Sequence, residues 1–330
     1  MMRAFAIEGG ALRPLAVAPG SPPPVEAAWI DLVEPSREEE RAVEALAGVE
    51  VPTRAEAGGL QLSDRLIAAD GTLYLSALVP AGPHVRPPVV PVTFIQAGRY
   101  LITVRYSAVD ALDPLIQRFA DGHTPLANAG ELLAAMLENV VDRIAERITR
   151  LGETLDQIGR HIFRRPAAIA RRAGRRLPIS RRTRRLEATI EEIGAAHDVS
   201  SALRESLHSL IRLVTFAREH AEDSLRRRLK AVDVDLHAVA EHNAYLAADM
   251  EFMLDATVGL IDIQQNKVIY ILSIVSVVLT PPVLVASIYG MNFQAMPELN
   301  WRYGYPFAIG VMIASVAAPF IYFRRKGWLR

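Results

Sequence analysis

The chain has 330 residues, 37 basic and 37 acidic groups, no cysteine, and 51% hydrophobic residues. A net charge of zero excludes a wholly basic nucleic-acid binder and an acidic disordered chain, and the missing cysteine excludes disulfides, Cys-ligated zinc and thiol catalysis. The length accommodates two domains, or one domain with a membrane anchor. The zero is a sum of unlike parts: residues 1–125 hold 10 basic and 15 acidic groups, and the remainder holds 27 and 22.

Residues 1–125 read as a cytosolic α/β domain. Strand-like runs occur at Met2–Ile7, Trp29–Val33, Leu73–Leu78, Val89–Gln96 and Tyr100–Tyr106. A helix is expected from Ser36, a capping residue, through Ala47, with Glu38, Glu39 and Glu40 in its first turns. Pro22-Pro23-Pro24 marks a loop. From Asn128 the pattern turns helical, and residues 126–225 read as a long helical hairpin, one helix ending near Phe163 and a second running from beyond Pro178 to about His220.

Residues 226–289 read as a stalk helix continuous with a first membrane span. Leu225, Leu229, Val232, Leu236, Val239, Asn243, Leu246, Met250, Met253, Thr257 and Leu260 alternate in steps of four and three. This heptad seam predicts a coiled-coil-like bundle; the competing reading is one amphipathic helix packed on its own domain.

No charge lies between Lys267 and Glu298, and none between Arg302 and Arg324. Val268–Tyr289 is long enough, at roughly 33 Å of helix, to cross a bilayer core of about 30 Å. Tyr305–Phe323 supplies a second, shorter span after the loop 290–304. The basic tail 324–330 faces a loop with Arg302 alone, so both termini are expected in the cytosol. The N-terminus shows no apolar signal-peptide core, so the first 266 residues are expected to stay cytosolic. The fold class is therefore an α+β membrane protein.

Polar residues in the first span form a stripe. Asn266, Ser273, Thr280 and Ser287 recur every seven residues, with Ser276 on nearly the same face. Hydroxyls of this kind also bond to their own helix carbonyls, which is the structural reading of the same pattern. As the wall of an oligomeric pore, the stripe offers neutral oxygens without carboxylate, imidazole or thiolate. That chemistry suits a hard ion which keeps its water, such as Mg²⁺. Pro281-Pro282 removes two backbone donors mid-span.

The first span ends in Tyr289-Gly290-Met291-Asn292-Phe293, followed by Met296-Pro297-Glu298-Leu299. This arrangement, and the stretch from Gln264-Gln265-Asn266 to Tyr305-Pro306, resembles the bacterial CorA family of divalent-cation transporters. The ending Arg324-Arg325-Lys326-Gly327-Trp328-Leu329 is similar as well, with weaker echoes at Trp29-Ile30-Asp31 and Val51-Pro52-Thr53-Arg54. The resemblance implies a homopentameric channel for Mg²⁺, also passing Co²⁺ and Ni²⁺, in the cell inner membrane, with no prosthetic group. It implies an outer ring at Gly290, Met291 and Asn292, an inner polar constriction at Asn266, and cation attraction by Glu298 in the loop. It further implies a cytosolic Mg²⁺ sensor using Asp255, for which Glu56 is the nearest partner acid, the next position being Ala57.

Other signals carry less. Arg164 to Arg185 holds ten arginines; it reads first as a solvated hairpin tip, then as a contact for anionic lipid headgroups, and lacks the aromatic interleaving of a nucleic-acid site. His237, Glu241 and His242 are close in sequence, yet adjacent side chains on a helix diverge and no third ligand is evident. There is no nucleotide-binding Gly-x-x-x-x-Gly-Lys-Ser/Thr loop, and no nucleophile–base pair of an enzyme. The competing functions are a transporter of the related zinc branch and a membrane-tethered oligomeric scaffold.

Overall fold

The computed structural model describes residues 1–18, 20–59, 66–82, 88–109, 111–112, 114–120, 126–163, 179–291 and 301–327. Asn292, Glu298 and most of the arginine-rich segment lie outside the described residues. The chain divides into two compact units, one comprising Met1–Arg175 with Glu187–Asp255 and the other Arg176–Leu186 with Ala256–Arg330.

The first unit is built on a seven-stranded sheet. Its strands are β1 (Met2–Glu8), β2 (Ala11–Leu15), β3 (Trp29–Val33), β4 (Leu66–Ala69), β5 (Thr72–Pro80), β6 (Val89–Ala97) and β7 (Tyr100–Arg105). Their order is β2-β1-β3-β7-β6-β5-β4, with β3 and β7 parallel and the other pairs antiparallel. Short helices α1 (Arg37–Ala47), α2 (Arg54–Gly59) and α3 (Leu115–Ala120) accompany the sheet. Long helices α4 (Ala129–Phe163), α5 (Ile179–His220) and α6 (Asp223–Tyr289) follow, and α7 (Gly304–Arg325) closes the chain.

Strand β3 sends apolar residues to both sides because both faces are covered. Trp29 joins Phe5, Leu75, Phe94, Leu101 and the α4 residues Leu132, Leu133 and Met136 in one core. Ile30 and Leu32 point the other way, into a core with Val43 of α1, Val49, Val51, Ile95, Ile102 and Val104. The expected cap of α1 forms: Ser36 Oγ accepts the Glu39 N–H, and Glu39 Oε2 accepts the Ser36 N–H at 2.9 Å. Gly48 then ends α1 in the left-handed region at φ 66°.

A charge cluster is sealed inside this sheet. Asp31, fully buried, accepts from Thr103 Oγ1 at 2.7 Å, from Arg105 Nη2 at 3.0 Å and Nε at 3.3 Å, and from Arg3. Trp29 Nε1 donates to Thr103 Oγ1 at 3.0 Å, so the indole fixes the hydroxyl that in turn donates to the carboxylate.

Four short elements escaped the sequence reading. Strand β2 contains Pro14, which a sheet tolerates at its edge, where β2 lies. Strand β4 is only four residues long and turns into β5 through Asp70-Gly71, at φ 49° and 76°. Helix α2 follows Thr53, whose N–H and hydroxyl both donate to Glu56 Oε2, at 2.8 and 2.7 Å. Helix α3 spans six residues, too few for an amphipathic period to show.

Because β4 stops at Ala69, the far half of β5 has an open edge, and α5 closes it with side chains. Ser206 Oγ donates to the Leu78 carbonyl and Ser209 Oγ accepts the Leu78 N–H, both at 2.7 Å. Replacing Ser206 with alanine leaves a carbonyl without its donor in a buried place. We expect a loss of about 1–3 kcal/mol, read as a lower melting temperature of the full-length protein, with alanine at exposed Ser201 leaving it unchanged.

The seam of α6 requires a correction. Leu229, Val232, Leu236, Leu246, Met250 and Met253 are buried in the chain's own core with Leu151, Leu155 and Ile158 of α4 and Leu203, Leu207 and Leu210 of α5. The heptad face is thus used inside one chain, in a three-helix bundle. A period of seven identifies which face is buried; it does not identify the partner. Asn243 sets the register there, exchanging bonds with Ser200 through Oδ1 and Nδ2, both at 3.1 Å. Arg228 adds a two-pronged ion pair with Glu138 of α4 at 2.7 and 2.8 Å, which raises the guanidinium above its ordinary value.

Candidate functional site

Among the described residues two helices are long and apolar enough to cross a membrane, α6 in its second part and α7. Helix α6 stays helical through Pro281 and Pro282 to Tyr289. In this part of α6, Ile274, Val278, Pro281 and Val285 are half-buried in the single chain and continue the seam's register. Asn266, Ser273, Thr280 and Ser287 stay exposed. At 3.5 residues per turn their stripe lies about 130° from the seam's midline. Packing within the chain therefore leaves the polar stripe open.

The hydroxyls have a defined orientation. Ser273 Oγ donates to the Ile269 carbonyl at 2.9 Å, Ser276 Oγ to Leu272 at 3.0 Å, and Thr280 Oγ1 to Ser276 at 2.7 Å. Each hydroxyl has one proton and two lone pairs. With the proton turned back to the helix, only lone pairs remain for whatever meets the stripe. The back-bonding that is the structural reading of the pattern thus also makes the stripe an acceptor surface, suited to the water shell of a cation.

At the end of α6 the chain closes on a glycine in a tight spot. The Gly290 N–H donates to the Ala286 carbonyl at 2.9 Å, and a Cβ on Gly290 would stand 3.2 Å from that same oxygen. Met291 is exposed and its N–H reaches the Ile288 carbonyl at 3.3 Å. Beyond the loop, the Trp301 ring meets Tyr303 and Phe307 edge-on, with centroids 6.1 and 5.8 Å apart, an aromatic cluster at the start of α7.

The two acids expected to sense metal are differently placed. Asp255 is exposed on α6. Glu56 is exposed but one of its oxygens is committed to Thr53, and donation from the Thr53 N–H and hydroxyl holds its carboxyl below the usual range. Among the described residues no group of three or more His, Asp or Glu side chains gathers to hold a metal ion. His237 Nδ1 lies 2.8 Å from the Asp233 carbonyl, whereas the His242 ring stacks on Tyr245 at 6.3 Å.

The lowered Glu56 carboxyl has a pH consequence. Its folded value lies below the unfolded one, so its contribution is full above the unfolded value of about 4.3 and is lost as pH falls through the folded value. The protection factors of the α2 amides, taken against their intrinsic exchange rates, should fall over that acidic window, and Glu56→Gln should remove this pH dependence.

The family model described as a CorA-like Mg²⁺ transporter protein matches residues 26–325. The chain belongs to the CorA family. The magnesium transport protein CorA of Escherichia coli (strain K12) is 35% identical over 338 residues, covering 100% of both chains. The magnesium transport protein CorA of Yersinia pseudotuberculosis is 31% identical over 306 residues, covering 91% of this chain and 92% of its own. The complete structure of the CorA magnesium transporter from Methanocaldococcus jannaschii superposes with a TM-score of 0.78 at 17% identity, covering 100% of this chain and 99% of that one. This is likeness of fold: an N-terminal α/β domain, long helices and two C-terminal apolar helices.

Two exposed residues of α6 were not singled out in the sequence. Tyr245 and Phe252 are 67% and 60% exposed, and stand three and two heptads before Asn266 in the stripe's own register. Counting back from Asn266 in sevens was the signal that would have found them.

Proposed function

We propose that this CorA chain assembles as a homopentamer and conducts Mg²⁺ into the cytosol through a pore lined by the exposed stripe of α6. The observation that carries the reading is the row Asn266, Ser273, Thr280 and Ser287, open to the outside of the chain and presenting acceptor oxygens without charge. Mg²⁺ gives up its water reluctantly, so such a row serves it through water-mediated contacts. Asn292 forms the outer ring, with Gly290 and Met291 setting the turn and Glu298 drawing cations to the mouth. Both termini face the cytosol.

A membrane potential contributes roughly 2.3 kcal/mol per charge per 100 mV, hence about 4.6 kcal/mol for a divalent ion. Inward flux then needs no nucleotide. Co²⁺ and Ni²⁺, also divalent and strongly hydrated, follow the same path. Mg²⁺ is placed first because the relatives of highest identity above are named magnesium transport proteins. Asp255 and Glu56 act in closing the pore when cytosolic Mg²⁺ is high, and since one chain gathers no metal cage among its described residues, ligands from a neighbouring copy complete that site.

The test is uptake by proteoliposomes holding a Mg²⁺-sensitive dye, with an inside-negative potential and no nucleotide. Mg²⁺ entry that rises with the potential is expected. Equal, potential-independent signals from protein-containing and empty vesicles would overturn the proposal and favour a scaffold; entry of Zn²⁺ with exclusion of Mg²⁺ would move it to the zinc branch.

A further inference from the structure

Two phenyl rings of the first compact unit meet outside its core. Phe252 of α6 is 60% exposed, and Phe163, the last residue of α4, is 51% exposed. Their rings stack, with centroids 5.8 Å apart and planes inclined by 21°. Packing one turn earlier sets up this contact. A Cβ on Gly159 would stand 3.2 Å from Met253 Cε, so the end of α4 lies close on α6. Phe163 follows Gly159 by four residues, on the same helix face, and reaches Phe252 beside Met253. The sequence neighbours Ile162 and Met253 pack in the core, whereas the two phenyl rings stay outside it.

Stacking orients the rings without removing them from water. The place of Phe252 on α6 gives the exposure a meaning. Counted in sevens it falls in one row with Tyr245 and, further along the sequence, with Asn266, Ser273, Thr280 and Ser287. Side chains on a helix lean toward its N-terminus, so the Phe252 ring lies over the turn that carries Ala248. Ala248 is exposed and too small to cover it. Asp255, three residues on and also exposed, sets a carboxylate beside the ring on the helix surface. An apolar ring held in place next to a cation-attracting acid is an unusual thing to leave in solvent.

We propose that Phe252, braced by Phe163, forms an aromatic constriction on the cytosolic side of the ion path, a role that rests on the pore reading above. What each ring meets is the same ring of the other copies, because its row continues the register of the polar stripe. Rings that close on one another exclude water and the hydrated ion with it; rings that part admit both. Phe163 is a positioning residue, which fixes the Phe252 ring without touching the ion.

Initial Mg²⁺ uptake by proteoliposomes of the full-length protein tests this. F252A should raise the rate about fivefold, the worth of one aromatic pair lost from the closed arrangement. F163A should raise it by less, and F163A/F252A should match F252A, since Phe163 acts only through Phe252. F252L keeps an apolar group of similar reach and should stay near wild type. Loss of a merely structural ring lowers uptake and does not raise it. A nitroxide on F252C, in a chain with no other cysteine, gives a readout without flux. Its spectrum should show spin–spin broadening that disappears when labelled protein is diluted with unlabelled copies. Wild-type uptake with an unchanged or lower F252A rate, or a nitroxide spectrum without broadening, would overturn the constriction and leave the pore reading standing. Broadening with an unchanged F252A rate would make the ring a contact between copies, again overturning it. No uptake by wild type would overturn the pore reading itself, and the constriction with it.

Discussion

Asn292→Ala should reduce Mg²⁺ uptake roughly thirtyfold or more, with the protein still assembled in the membrane. Each amide contact to a water of the ion's shell is worth about 1 kcal/mol. In the proposed outer ring several copies of Asn292 act together, and losing two or more such contacts would raise the barrier by at least about 2 kcal/mol, a factor of roughly thirty. Alanine removes both the acceptor and the donor of the amide, so no residual geometry compensates. Dye-reported initial rates at matched protein density measure the loss, and size-exclusion chromatography shows that assembly is kept. Asn292→Gln should recover part of the rate, since the amide survives on a longer stem.

Asp31→Ala should have the largest effect on folding. Arg105, 1% exposed, would stay buried in the sheet after losing the carboxylate that accepts from its Nε and Nη2. Removing one partner of a buried pair costs about 3–5 kcal/mol because the remaining charge is uncompensated. Thr103 and, through it, Trp29 lose their place in the same chain of hydrogen bonds. The expected outcome is a protein that accumulates poorly and melts far below wild type. Asp31→Asn should be milder, keeping an acceptor for Thr103 while forfeiting the charge. Replacing exposed Asp235, also an acid, should change the melting temperature little.

Much of this molecule is written in its charge pattern. The two uncharged windows after Lys267 and Arg302 mark α6 and α7 because a bilayer excludes unpaired charge. The long helices were legible from apolar spacing, and Ser36 from capping chemistry. The seam of α6 was legible as a face, while its partner was not: residues such as Leu236 and Met250 need three-dimensional neighbours to reveal that α4 and α5 of the same chain cover them. The buried cluster was equally hidden, since Asp31 and Arg105 are 74 residues apart and only the parallel pairing of β3 with β7 brings them together. Thr53-x-x-Glu56 was a readable capping box, and treating Glu56 only as a sensor acid concealed it. At the site itself the sequence marked the stripe's period; the free face, and the hydroxyl protons turned inward, required the fold.

The absence of cysteine in the native chain makes the decisive measurement direct. Single cysteines placed in turn at each position from 266 to 287, followed by a charged thiol reagent, report which side chains face the ion path. With the polar stripe facing the ions, block of Mg²⁺ uptake peaks at 266, 273, 280 and 287 and falls to background at the half-buried seam positions 274, 278 and 285. Block that peaks on the seam, or that shows no seven-residue period, would contradict the assignment of the polar stripe as the wall of the pore.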